Sequence, residues 1–146
     1  MNIALVASEF NAPIPEKMLA AARGRADALG VKVVAVVRVP GTWEIPLAAK
    51  AALARKDVDA VVAIGALVQG ETGHDALIGD AVARALMELM LASGKPIGLG
   101  ITGPGMTWEQ AEERVENAVR AVDAAVRMAR DPASRPRGPP TRRRRS

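Results

Sequence analysis

Two patterns of apolar residues take turns along this chain: short unbroken runs, and longer stretches with an apolar side chain every three or four positions. Asn2 to Val6 is a run of the first kind and predicts a strand. Ala12-Pro13-Ile14-Pro15 then opens a segment with Leu19, Ala22, Ala26 and Leu29 at helical spacing, closed by Gly30. Val31 to Val39 is valine-rich and reads as a second strand. Pro40-Gly41 breaks it, and the alanine-rich stretch Ile45 to Arg55 is helical. The third unit pairs the apolar run Ala60 to Ile64 with a helical stripe of Leu77, Ile78, Ala81, Val82, Ala85, Leu86 and Leu89. The fourth pairs Pro96 to Ile101 with one helix from about Thr107, its face drawn by Ala111, Val115, Ala118, Val122, Ala125 and Ala129; Thr107 and Gln110 have capping-box spacing. Strands that are apolar throughout and alternate with helices predict a parallel sheet covered on both faces, a three-layer α/β sandwich of four strands.

Composition narrows this to one unit. With 146 residues, 49% of them apolar, the chain can build one domain with a real core, expected over residues 1–130. The absence of cysteine excludes disulfides and thiolate chemistry and points to a reducing, cytoplasmic setting. Met1 to Val6 lacks a basic n-region and is too short to span a bilayer, so neither export nor membrane insertion is expected. The formal charge of +4 sits at one end. Six arginines against the single acid Asp131 make residues 131–146 +5, which leaves 14 basic and 15 acidic residues, −1, for residues 1–130. A run of Arg, Pro, Gly and Ser cannot bury enough apolar surface to offset its ordering entropy, so a disordered tail is predicted, serving either as a solubilising end or as a weak contact for polyanions.

In parallel sheets of this kind, ligands bind beyond the carboxyl ends of the strands, so candidate chemistry is sought in the loops that follow them. Only three aromatic residues occur, Phe10, Trp43 and Trp108. Phe10 follows the first strand and Trp43 the second, where each ring either stacks on a heterocycle or plugs the end of the sheet; Trp108 reads as packing. After the third strand, Gly70-Glu71-Thr72-Gly73-His74 leads into a helix. Its glycines and free N–H groups suit an anion, although such loops also serve simply to join strand to helix. His74, the only histidine, stands beside this loop and suits proton exchange near neutral pH, or acts as a surface or capping residue. With no second histidine and no cysteine, no metal site is expected. Arg114, at the border of the last apolar stripe, suits a bidentate phosphate contact or an ion pair with Glu113 or Glu116. Glu44 either accepts from sugar hydroxyls or begins a helix.

At these residues the chain resembles the lumazine synthase family from Ile3 to about Met128. Phe10-Asn11 with Ile14 is similar to the family's first loop, Val39 to Pro46 to its second, and Ile64-Gly65 through Gly70-Glu71-Thr72-Gly73-His74 to its third. Pro96, Gly100, Thr102, Glu109-Gln110-Ala111 and Arg114 continue the match in order. The resemblance implies a flavodoxin-like fold. It also implies a condensation of 5-amino-6-ribitylaminouracil with 3,4-dihydroxy-2-butanone 4-phosphate to 6,7-dimethyl-8-ribityllumazine, releasing phosphate and water, with no cofactor or metal. By that resemblance Phe10 stacks on the pyrimidine, Thr42, Trp43, Glu44, Ala66, Leu67 and Val68 line the pyrimidine and ribityl pocket, Gly70, Glu71, Thr72 and Arg114 bind phosphate, and His74 moves protons. The family assembles as pentamers, or twelve pentamers in a shell, with Leu99 and Arg114 reaching the site from the neighbouring subunit. Departures from the family pattern fall at Gln69, Asp75-Ala76, Leu99, Val122 and a loop, Gly103 to Met106, that is expected to be longer. Non-catalytic alternatives on the same scaffold are a flavin- or lumazine-binding module and a shell-forming protein.

Overall fold

A computed structural model describes residues 1–70 and 73–131. In chain order the elements are β1 (Asn2–Ser8), α1 (Ile14–Ala28), β2 (Lys32–Val39), a 3₁₀ turn (Thr42–Glu44), α2 (Ile45–Leu53), β3 (Ala60–Val68), α3 (His74–Ser93), β4 (Ile97–Met106), α4 (Trp108–Glu113) and α5 (Asn117–Arg130). The strands form one parallel sheet in the order β2-β1-β3-β4, the flavodoxin-like order expected.

Both faces of the sheet are covered, which is why the strands carry no polar alternation. Ile3, Leu5, Ala60, Val62 and Ile64 pack under α1, α4 and α5, where they meet Met18, Leu19, Ala111 and Val122. Ala4, Val6, Val61 and Ala63 face α2 and α3 and meet Ile45, Leu53, Val82 and Leu86. Core side chains are almost wholly aliphatic, and small residues let layers approach closely. Gly98 of β4 lies so near α5 that a Cβ there would fall onto the Ala121 carbonyl. Trp108, the first residue of α4, packs against the core, as expected.

Four expectations change. β3 does not stop near Ile64 but continues to Val68, because Gly65 slides beneath the hydroxyls of Ser8 and Thr42 rather than breaking the strand. β4 likewise continues through Gly103 to Met106, paired with the end of β3 at Val68↔Met106, so this segment is a bulged strand end and not a loop. The last helix is two: α4 packs over the ends of β3 and β4 while α5 runs along their face, and one straight helix cannot do both. Finally, the stripe on α3 is only partly buried. Val82 and Leu86 are core, but Leu77 is 66% exposed, and Met87 and Leu91 of the same helix are exposed as well. Thr107 and Gln110 form the capping box that their spacing predicted. Among the described residues no helix is long and apolar enough to cross a membrane. The basic tail lies outside the described residues, apart from Asp131 at its start.

Candidate active site

The chain leaves β1 towards β2 on one side and reaches β3 on the other, so the sheet has a topological switch point between β1 and β3. Crevices for ligands form at the carboxyl edge of such a point. Side-chain polarity marks the same edge. The buried polar or charged residues among those described are Ser8, Thr42, Asp75 and Thr102, each at the carboxyl end of the sheet or at the start of the helix above it. Thr102 Oγ1 donates to the Gly65 carbonyl at 3.4 Å.

Backbone bonds tie the first loop down on both sides of the switch point. The Glu9 N–H donates to the Val39 carbonyl at 2.8 Å and the Phe10 N–H to the Pro40 carbonyl at 2.9 Å, against the end of β2. On the other side Asn11, in the left-handed region at φ 65°, donates from Nδ2 to the Ala66 carbonyl of β3 at 2.8 Å. An ion pair braces the start of α1, with Arg38 of β2 donating to Glu16 at 2.8 Å and 3.3 Å. The Arg38 hydrogen bond holds the Glu16 carboxyl below its usual 4.5 against a small opposing effect of burial. Held this way, Phe10 is 70% exposed at this edge of the sheet.

The second loop turns in Thr42–Glu44. Glu44 Oε2 accepts from the Gly41 N–H at 3.1 Å at the start of the helical turn, while the residue remains exposed. Thr42 is buried, its hydroxyl directed at Gly65. Trp43 is exposed at the mouth of a groove of about 670 Å³ between α2 and α3, lined also by Leu47, Lys50 and Leu89. At the end of β3 the side chains of Ala66 and Leu67 are buried and Val68 is half-buried, so the first two offer a crevice their backbone and not their side chains.

Gly70 is exposed, Gly73 takes the left-handed conformation at φ 69° as the cap of α3, and His74 is the first residue of that helix, exposed. Glu71 and Thr72 lie outside the described residues. Asp75, next in the chain, is buried and accepts from the Gly105 N–H at 2.9 Å. Among the described residues no three His, Asp, Glu or Cys side chains gather as a metal site.

The family model for 6,7-dimethyl-8-ribityllumazine synthase matches residues 1–132. The chain belongs to that family. A 6,7-dimethyl-8-ribityllumazine synthase of Metallosphaera sedula is 50% identical over 131 residues, covering 89% of this chain and 87% of that protein. One from Staphylothermus marinus is 52% identical over 128 residues, 87% and 85% of the two chains, and one from Methanopyrus kandleri is 48% identical over 130, 89% and 92%.

For a member of the lumazine synthase family, the site residues expected from sequence divide into two groups. Phe10, Thr42 to Glu44, Ala66 to Val68, Gly70 and His74 belong to loops and strand ends at one edge of the sheet. Leu99 and Arg114 belong to other elements, β4 and the end of α4. Leu99 is mid-strand, paired in register with Ala63, and 57% exposed on the edge strand. Arg114 sits at the break after α4, exposed, and among the described residues forms no ion pair with Glu113 or Glu116. Three residues at this edge escape a reading of the sequence: Ser8, Asn11 as a cross-strand donor, and Asp75 as a buried acceptor. Only Asn11 leaves a hint, since asparagine is a side chain that tolerates left-handed backbone after a strand.

Proposed function

We propose that this chain is an active lumazine synthase, condensing 5-amino-6-ribitylaminouracil with 3,4-dihydroxy-2-butanone 4-phosphate to 6,7-dimethyl-8-ribityllumazine with loss of phosphate and water. The observation that carries the proposal is the carboxyl edge of the sheet at the β1/β3 switch point, where Phe10 and the 3₁₀ turn follow strand ends, His74 opens α3, and Asn11 bonds the first loop to β3, in a chain about half identical to curated lumazine synthases. In this reading Phe10 stacks on the pyrimidine, and Thr42, Trp43, Glu44 and the backbone of Ala66, Leu67 and Val68 hold the ring and the ribityl chain. Gly70, Glu71, Thr72 and Arg114 take the phosphate, and His74 shuttles protons as the imine forms and phosphate departs. Much of the acceleration comes from holding two substrates together, with a proton-transferring side chain beside them. Neither metal nor organic cofactor takes part.

The assembly is a homo-oligomer in which Leu99 and Arg114 serve the neighbour's site. Support comes from the position of Leu99 in the middle of the edge strand and from the exposed apolar side chains Leu77, Met87 and Leu91 of α3, which a partner subunit would cover. The oligomer is a pentamer, or a shell of such rings, in the cytoplasm. Residues 1–130 form the catalytic domain, and the arginine-rich tail adds at most a weak contact to polyanions. Incubating the purified protein with both substrates while following lumazine absorbance and fluorescence tests the activity. Product formation is expected; substrate binding without turnover would favour a non-catalytic module.

A further inference from the structure

The end of β3 and the start of α3 are both bonded to the tip of β4. On the strand side the Gln69 N–H donates to the Met106 carbonyl at 2.7 Å. On the helix side the Gly105 N–H donates to Asp75 Oδ2 at 2.9 Å, across 30 residues of chain. Gly105 and Met106 are adjacent, so two consecutive residues of β4 bridge the end of β3 to the first turn of α3. One helical turn further on, Pro104 rests on Gly79, where a Cβ would lie 3.0 Å from the proline Cδ. At Gly103 (φ 93°) a side chain would collide with the Leu67 carbonyl, so only glycine lets the tip lie this close to β3. Asp75 is thus a buried carboxylate that holds the first turn of α3 through a charge-assisted bond to another element, which is the stronger kind of hydrogen bond.

We infer that Asp75 is a positioning residue for His74: by holding the first turn of α3 on the Gly105 amide, it sets where the imidazole on the preceding residue stands relative to the substrates. The inference rests on the reading in which His74 moves protons. A displacement of about 1 Å at a reacting group costs up to about 10²-fold in rate, whereas pyrimidine binding depends on Phe10 and the 3₁₀ turn, which belong to other elements.

The test compares Asp75→Ala, Asp75→Asn, His74→Ala and the Asp75→Ala/His74→Ala pair, as full-length assemblies well below their melting temperatures. Asp75→Ala is expected to lower kcat about 10- to 100-fold while KM for 5-amino-6-ribitylaminouracil stays within about twofold. Asp75→Asn, which keeps an acceptor oxygen, is expected to recover most of that loss. In the His74→Ala background the Asp75 substitution should change kcat by less than about threefold, because there is no imidazole left to misplace. Wild-type kcat in Asp75→Ala, with His74→Ala slowed, overturns the inference alone, as does an undiminished Asp75 effect without His74. Wild-type kcat in His74→Ala instead overturns the reading of His74 on which it rests. If Asp75→Ala does not assemble, Gly79→Ala loosens the same junction at Pro104, and unchanged turnover in that variant overturns the inference.

Discussion

Asn11 is the clearest point at which this fold and its site depend on one side chain. Replacing it with alanine removes the Nδ2 bond to the Ala66 carbonyl across the switch point, a part-buried hydrogen bond with a net contribution of about 0.5–1.5 kcal/mol. It also leaves a residue with a Cβ at φ 65°, where asparagine is tolerated but alanine costs roughly 1–2 kcal/mol. Asn11→Ala should therefore lose about 2–3 kcal/mol. Asn11→Gly loses the same bond while relieving the backbone, so it should lose only about 1 kcal/mol. Thermal unfolding at matched protein concentration should rank wild type above Asn11→Gly above Asn11→Ala, the last lower by about 10 °C. The same bond holds the Phe10 loop. With aromatic stacking contributing about 0.5–1.5 kcal/mol, both variants should raise KM for the pyrimidine substrate by up to about tenfold. Equal destabilisation by glycine and alanine would refute the backbone part of this reasoning, and an unchanged KM would show that Asn11 does not place Phe10.

Other outcomes follow from the same geometry. Gly98→Ala, whose Cβ would fall on the Ala121 carbonyl, should destabilise by at least about 1–3 kcal/mol, because backbone cannot yield as a side chain can; a melting temperature equal to wild type would contradict that close packing. The Arg38 bond lowers the Glu16 pKa, so its stabilisation is fully present above the usual 4.5 and is lost as pH falls through the lower folded value. Glu16→Gln should thus be slightly less stable than wild type near neutral pH, by under about 1 kcal/mol for so exposed a pair. That gap should close in acid and shrink with salt, as urea titrations at several pH values would show. His74→Ala and Arg114→Ala proteins, unfolded and reassembled together, should regain some turnover if neighbouring subunits share a site, and no recovery in verified mixed rings would place both residues in one subunit's site. Truncation after Asp131 should leave turnover intact and weaken retention on polyanion resin; loss of activity with assembly unchanged would assign the tail to the site.

The alternation of apolar runs with helical stripes determined the layer order on its own, since an aliphatic strand with no polar face has no stable place except between two layers of helices. The loops after those strands were legible too: Phe10, Trp43 and the glycines before His74 stand where strands end, and in a parallel sheet every strand ends at the same edge. Element lengths were not. Gly65 and the Gly103–Met106 segment look like interruptions because local preference counts glycine against a strand, but a ladder continues through glycine where a neighbour must come close, as Ser8 and Thr42 do at Gly65 and β3 does at Gly103. The break after Arg114 carries no proline or glycine; it follows from α4 and α5 packing on different parts of the sheet. What the tertiary structure alone decided is pairing between residues far apart in the chain. Asn11 with Ala66 and Asp75 with Gly105 are separated by 55 and 30 positions. Asp75 reads by itself as one more polar residue near a helix start, and becomes a buried anchor only because β4 runs past its expected end and delivers an unpaired amide to it.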